Sequence, residues 1–240
     1  MIDTLWPNGP SFITKDDVFK LGTDSVLLAH FVNSSKVKKG NYGIDLGCGS
    51  GVISIVLAWE NPLLHIDGIE IQAEAAKLAE QNVQLCALSD RINITEGDIR
   101  RHREILKSGA YDFTVSNPPY YSIKSGKSAS DTNIAIARGE ELCTLEDICT
   151  AASYCTRWGG SFMLVYKPER LADVFRSLNK TGFEPKRLRF VHHKASSPPN
   201  LVLIESRRGG NPSLVIESPL VLANDDGSDT DEVMKIYHRD

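Results

Sequence analysis

The chain has 240 residues, of which 41% are hydrophobic and 24% charged, with a formal net charge of -4. That length suits one α/β domain with a filled core and is short for two, and no apolar run approaches the ~20 residues that cross a bilayer. Five cysteines (Cys48, Cys86, Cys143, Cys149, Cys155) form no C-x-x-C pair, so they read as small buried apolar residues, and neither disulfides nor a metal site is expected. Met1 to Asp17 has no basic patch leading into an apolar run, so no signal peptide is expected and the expected location is the cytoplasm.

Charge is unevenly spread. Lys167 to Arg208 is basic, with Arg170, Arg176, Lys180, Lys186, Arg187, Arg189, Lys194 and Arg207, whereas the tail carries Asp225, Asp226, Asp229, Asp231 and Glu232. The basic stretch reads equally as a phosphate-binding surface or as a solvated face.

In chain order, Thr23 and Asp24 precede an apolar face from Val26 to Phe31, which predicts a helix with a capping residue in front. Tyr42–Leu46 predicts a buried strand, followed at once by Gly47-Cys-Gly-Ser-Gly51 and a helix from Val52 to Trp59. The alternation continues with strands at Leu64–Glu70, Arg91–Glu96, Tyr111–Ser116 and Ser161–Tyr166, and helices at Gln72–Leu85, near Glu104, at Leu145–Cys155 and at Leu171–Asn179. Residues 122–140 read as a polar loop. Strands at Arg187–Val191 and Leu201–Ser206 are joined too closely for a crossover and should form an antiparallel hairpin at the sheet edge. The expected fold is α/β: a mostly parallel seven-stranded sheet ending in that hairpin, with helices on both faces. The expected divisions are an N-terminal element (1–40), the α/β domain (41–208) and an irregular acidic tail (209–240).

Three strand ends carry chemistry. Closely spaced glycines after the first strand let backbone pass against a ligand, and the following helix offers its N-terminal amides. The spacing is G-x-G-x-G, not the G-x-G-x-x-G of dinucleotide sites. Gly47, Cys48, Gly49 and Gly51 are therefore candidate ligand contacts, with Asp45 reaching the ligand's amino group through water or orienting the loop. Glu70 lies about twenty residues further on, where a carboxylate can accept from two ribose hydroxyls, with Ile71 beside it. Asp98 ends the third strand, placed to accept from an adenine amino group while Ile99 packs on the ring. The sharpest signal is Asn117-Pro-Pro-Tyr120. Pro118 and Pro119 remove two backbone donors and stiffen the turn. The Asn117 side chain and the Pro118 carbonyl then become two acceptors for the two hydrogens of a planar amine, and Tyr120 can stack on the ring that bears it.

Together these motifs, over residues 20–205, resemble class I S-adenosylmethionine (SAM)-dependent methyltransferases. By that resemblance Asp45–Gly51 would be the SAM loop, Glu70 the ribose acid, Asp98 the adenine contact, and Asn117–Tyr120 the catalytic motif of amino-nitrogen methyltransferases. Phe19-Lys-Leu-Gly-Thr-Asp-Ser-Val-Leu-Leu-Ala29 resembles the N-terminal element of the bacterial enzymes that methylate N6 of the adenine beside the anticodon of a valine tRNA. The tail, with Gly227 and Asp231–Tyr237, resembles the end of their Gram-positive members. The resemblance implies SAM as cofactor, with Phe19, Thr23 and Asp24 at its methionine end. It also implies an RNA partner, expected to be tRNA. A monomer is expected because the sequence shows no coiled coil or long apolar surface stripe, and neither a membrane nor a metal partner is expected. Tyr121, Lys124, Lys127 and Arg138, on or next to the polar loop, are the candidate substrate contacts, with the basic stretch after Lys167. Two other amine acceptors fit the motif, a protein glutamine and a guanine N2 of ribosomal RNA. The former usually comes with a helical N-terminal domain of about seventy residues, against about forty before the first strand here. A nucleotide-binding module without catalysis would have no use for an intact Asn117–Tyr120.

Overall fold

The computed structural model describes residues 1–13, 22–35, 42–119 and 143–239. Its central sheet is built from strands β3 (Tyr42–Leu46), β4 (His65–Glu70), β5 (Ile92–Glu96), β6 (Tyr111–Ser116), β7 (Thr156–Tyr166), β8 (Phe183–His192) and β9 (Pro199–Arg208), extended by the two-residue strands β10 (Val215–Ile216) and β11 (Leu220–Val221). The spatial order is β10-β8-β9-β7-β6-β3-β4-β5, with β11 also pairing with β8. Strands β3 to β7 are parallel, and β9 runs antiparallel between β7 and β8. The chain therefore steps outward from β3 through β4 to β5, then returns to place β6 on the other side of β3. That reversal is a topological switch point, where α/β sheets open a crevice at the carboxyl ends of their strands.

Helices cover both faces. Helices α1 (Thr23–Asn33), α2 (Val52–Glu60) and α3 (Ala73–Leu85) lie on one side, where Leu28, Ile55, Leu57, Ile66, Phe113 and Val115 are buried together. Helices α4 (His102–Ile105), α5 (Leu145–Cys155) and α6 (Leu171–Lys180) lie on the other, around Ile44, Leu46, Phe162, Leu164 and Ile204. Alternate residues of β3, β6 and β7 thus feed opposite layers, as the period of a strand requires. Helix α2 is buried from Val52 to Ala58, with Ser54 the one polar residue among these, which fits a helix wedged between sheet and neighbouring helices. Helix α5 opens with a capping box between Thr144 and Asp147. Four cysteines are buried and Cys143 is half-buried. Among the described residues, no helix is long and apolar enough to cross a membrane.

The architecture agrees with the expected Rossmann-like sheet, hairpin and covering helices, with three differences. First, a small hairpin, β1 (Ile2–Thr4) with β2 (Ser11–Ile13), precedes α1. Its turn brings Asn8 to a φ of 59°, and Pro7-Asn-Gly-Pro10 carried the signature of such a turn. Second, the hairpin of β8 and β9 is not the sheet's edge, because β10 and β11 add to β8. Third, the tail is not irregular. It supplies β10, β11 and helix α7 (Asp231–Ile236), and buries Leu220, Val233 and Ile236.

The tail also accounts for part of the basic stretch. Arg189 forms a two-pronged pair with Glu232, at 2.7 Å on each arm, and Arg187 bonds Glu205 and Glu217. Arg170 and Arg176 share Asp173, and Lys180 meets Glu146. These cations are neutralised within the protein, which weakens the picture of one continuous phosphate-binding strip.

Candidate functional site

The site forms where β3 and β6 end side by side. The Ser116 hydroxyl donates to the Leu46 carbonyl at 2.7 Å, tying the last residue of β6 to the last of β3 and so setting the Asn-Pro-Pro turn beside the glycine loop. That loop is held from its far side, since the Gly47 and Cys48 amides both donate to the Ile69 carbonyl at 2.8 and 3.0 Å. Gly47 and Gly49 sit at φ 74° and 55°, a conformation that costs an L-residue about 1–2 kcal/mol. A Cβ on either would meet nothing within 4 Å among the described residues, so among these the loop presents open backbone to the crevice.

Two buried carboxylates converge behind this loop. Glu70, at the end of β4 and only 5% exposed, accepts from the Gly49 amide through Oε2 and from the Gln72 amide through Oε1, each at 2.9 Å. The loop's conformation and the position of Glu70 therefore fix each other. Asp45 is fully buried in β3. Its Oδ2 accepts from the Ser54 hydroxyl at 2.9 Å, and its Oδ1 is buried with no hydrogen-bond partner among the described residues. Burial pushes the Asp45 carboxyl up to about 7; the nearby Glu70 charge adds to this, and the Ser54 bond opposes it. A buried carboxylate oxygen with no donor is costly, and it is a ready acceptor for a ligand or water at this point.

Asp98 is at the expected strand end and caps the short 3-10 turn Ile99–Arg101. Its carboxylate is gripped by Arg100, whose Nη2 lies 2.6 Å from Oδ2, and this holds Asp98 below the usual carboxylate range. Ile99 is buried beside it, whereas Ile71 is 38% exposed. Across the crevice, Asn117 Nδ2 donates to the Ser25 hydroxyl at 3.0 Å, which brings the start of α1 to the turn. Thr23 and Asp24 stand on that same first turn of α1. A cavity of about 430 Å³ lies against Pro118 and Pro119, bordered by Tyr166, Arg170, Arg176 and Ser177. A larger one, about 840 Å³, lies away from the crevice beside Lys186, Arg187, Glu205 and Arg207 and touches neither the loop nor the turn; the smaller one reaches the turn at its two prolines and does not reach the glycine loop.

The structure thus brings together Asp45, Gly47, Cys48, Gly49, Gly51 and Glu70 around the loop and sets Asn117, Pro118 and Pro119 beside them. Phe19, Tyr120, Tyr121, Lys124, Lys127 and Arg138 lie outside the described residues. Ser25 was not foreseen: only the fold brings it to Asn117, 92 positions away.

This topology and the loop at its switch point define a Rossmann-like methyltransferase fold. A crystal structure of a predicted O-methyltransferase from Agrobacterium tumefaciens superposes with a TM-score of 0.72 at 21% identity, over 90% of this chain and 96% of that one. The precorrin-6y C5,15-methyltransferase of Geobacter metallireducens superposes at 0.56 and 15% identity, over 81% and 92%. The model of the methyltransferase small domain family matches residues 12–178, and the chain belongs to that family. Proteins named tRNA1(Val) (adenine(37)-N6)-methyltransferase are similar in sequence. That of Porphyromonas gingivalis is 34% identical over 158 residues, 65% of this chain and 61% of its own length. That of Yersinia pseudotuberculosis is 34% identical over 167 residues, 68% and 63%. The chain thus spans somewhat under two thirds of the length of these relatives.

Proposed function

We propose that the chain transfers a methyl group from SAM to an exocyclic amino nitrogen, and that the acceptor is N6 of an adenine in tRNA, at anticodon-loop position 37 of a valine tRNA, in the cytoplasm. The observation that carries the chemistry is the Asn117-Pro118-Pro119 turn, fixed through Ser116 and Leu46 beside an open glycine loop. The choice of tRNA rests on the names of the two relatives and on the sequence of the N-terminal element.

The residues present fit SAM. Asp45 Oδ1 is an acceptor without a donor among the described residues, Gly47 and Gly49 leave an open backbone face, and Glu70 would accept from the ribose hydroxyls. Thr23, Asp24 and Phe19 would close the methionine end, with Cys48 and Gly51 completing the loop. Ile71 and Ile99 would flank the adenine. Asp98 would share its carboxylate between Arg100 and the adenine amino group. When bound, SAM supplies an electrophilic methyl group that needs no further activation.

The protein's own work is then positional. Asn117 Oδ1 and the Pro118 carbonyl accept the two hydrogens of the target amine, hold its plane and leave the nitrogen lone pair pointing toward the crevice. Tyr120 stacks on the base, which is readily unstacked in an anticodon loop. Tyr121, Lys124, Lys127 and Arg138 contact the RNA around it. No general base is needed before transfer, because the methylated amine sheds its proton readily. Asn117→Ala should lower turnover at least a hundredfold, as expected when a preorganised polar contact at the reacting group is removed, while SAM binds with unchanged affinity in calorimetry. Wild-type turnover in that variant would remove Asn117 from the mechanism.

A further inference from the structure

We propose that Asn82 is a positioning residue for SAM, because it ties the glycine loop to the N-terminal hairpin; the inference rests on the reading of that loop as the SAM site. Asn82 is fully buried on α3. Its Oδ1 accepts from the Ile13 amide at 2.8 Å, and its Nδ2 donates to the Ser50 carbonyl at 3.0 Å. A backbone amide can only donate and a carbonyl can only accept, so these two partners admit one orientation of the side chain. One buried side chain thus joins the end of β2 to the glycine loop, with partners 69 and 32 positions before it in the chain.

Three bonds from β4 hold the start of the loop, at Gly47, Cys48 and Gly49. Asn82 holds the next residue, Ser50, and does so from α3. The helix lies close enough because both surfaces are small there: a Cβ on Gly51 would stand 3.3 Å from the Cβ of Ala79, and Ala79 and Asn82, three apart, share one face of the helix. Asparagine is a poor helix former, and burying its amide is costly unless its arms are bonded, so what this residue contributes is its two bonds. On the hairpin side, Phe12 is buried and the Cys86 thiol donates to the Ser11 carbonyl at 3.2 Å, which holds β2 along α3 independently of Asn82. Without the Asn82 bond the Ser50 end of the loop is looser, and SAM must order it on binding. That cost falls on affinity and not on the transfer step.

The test is Asn82→Leu in the full chain, which keeps the branched shape and removes both bonds. Calorimetric titration should show SAM binding weakened about 10-fold, the scale of one lost hydrogen bond. KM for SAM should rise with it while kcat at saturating SAM holds. Cys86→Ala is the control: it loosens β2 from α3 without touching the loop, so it should lower the melting temperature and leave SAM affinity at the wild-type value. Wild-type affinity in Asn82→Leu overturns the proposal. So does an equal weakening in Cys86→Ala, which would make the loss a general consequence of a looser α3, and so does a fall in kcat with SAM affinity intact. Should Asn82→Leu fail to fold, the wild type decides. SAM should slow hydrogen exchange at the Ile13 amide and leave the Gly9 amide, bonded to the Trp6 carbonyl at the hairpin's turn, unchanged; the same Ile13 rate with and without SAM overturns the proposal. A wild type that binds no SAM overturns the reading of the loop itself, whereas binding that ignores the substitution overturns only the part given to Asn82.

Discussion

Glu70→Gln separates the structural duty of one side chain from the ligand-binding duty proposed for it. In the folded protein the Glu70 carboxylate accepts from two amides, Gly49 and Gln72, each at 2.9 Å, while 5% exposed. Glutamine keeps the size but offers one acceptor and one donor, so one of the two amides faces an NH2 group. Hydrogen bonds to charged groups contribute about 1.5–3 kcal/mol each, so losing one destabilises the unliganded protein by about 2 kcal/mol. For a chain of this size that is a drop of roughly 4–8 °C in melting temperature. The ribose hydroxyls would lose a charged acceptor as well, which weakens SAM by about 10- to 100-fold on the same energy scale. Calorimetric unfolding without ligand reads the first effect, and titration with SAM at a temperature well below both transitions reads the second. An unchanged melting temperature would refute the role of Glu70 in holding the loop. An unchanged SAM affinity would refute its place at the ribose.

Two further outcomes are expected. Asp45 has its carboxyl pushed up to about 7 from an ordinary 3.8, so between about pH 4 and pH 7 the folded protein holds a proton that the unfolded chain has released. Stability should therefore fall as pH rises through that window and level off above about pH 7, by at most about 4 kcal/mol; urea unfolding across this range should show the slope in the wild type and lose it in Asp45→Asn. Arg189→Ala removes the two-pronged bond to Glu232, whose side chain is 44% exposed, and should weaken tail docking by about 1 kcal/mol after solvent screening. Hydrogen exchange at Asp231–Ile236 should then quicken while β3 and β6 stay protected, and unchanged exchange there would show that α7 is held by its apolar contacts alone.

The sequence made the centre of this molecule legible for a physical reason. Glycines at 47, 49 and 51 are demanded by positive φ, two prolines stiffen one turn, and acidic residues close two strands, so local chemistry and local geometry are written in the same residues. Alternating buried strands and amphipathic helices gave the parallel sheet for the same reason. Longer-range arrangements were not legible. Strands of two residues leave no periodic pattern, which hid β10 and β11. Helix α7 buries only Val233 and Ile236, too few for a helical period to stand out among the acids that suggested an irregular tail. Those acids and the basic stretch read as separate features in the chain, yet Arg187 with Glu217 and Arg189 with Glu232 are partners in space. Ser25 carries no local mark at all, since its meaning comes from a residue on another strand end.

Methyl transfer to an adenine amino group is tested most directly by incubating the purified chain with methyl-labelled SAM and unmodified tRNA, then digesting the RNA and separating its nucleosides. The proposed function predicts label in N6-methyladenosine, lost in Asn117→Ala. Label in another nucleoside, or no label in the RNA, would contradict it.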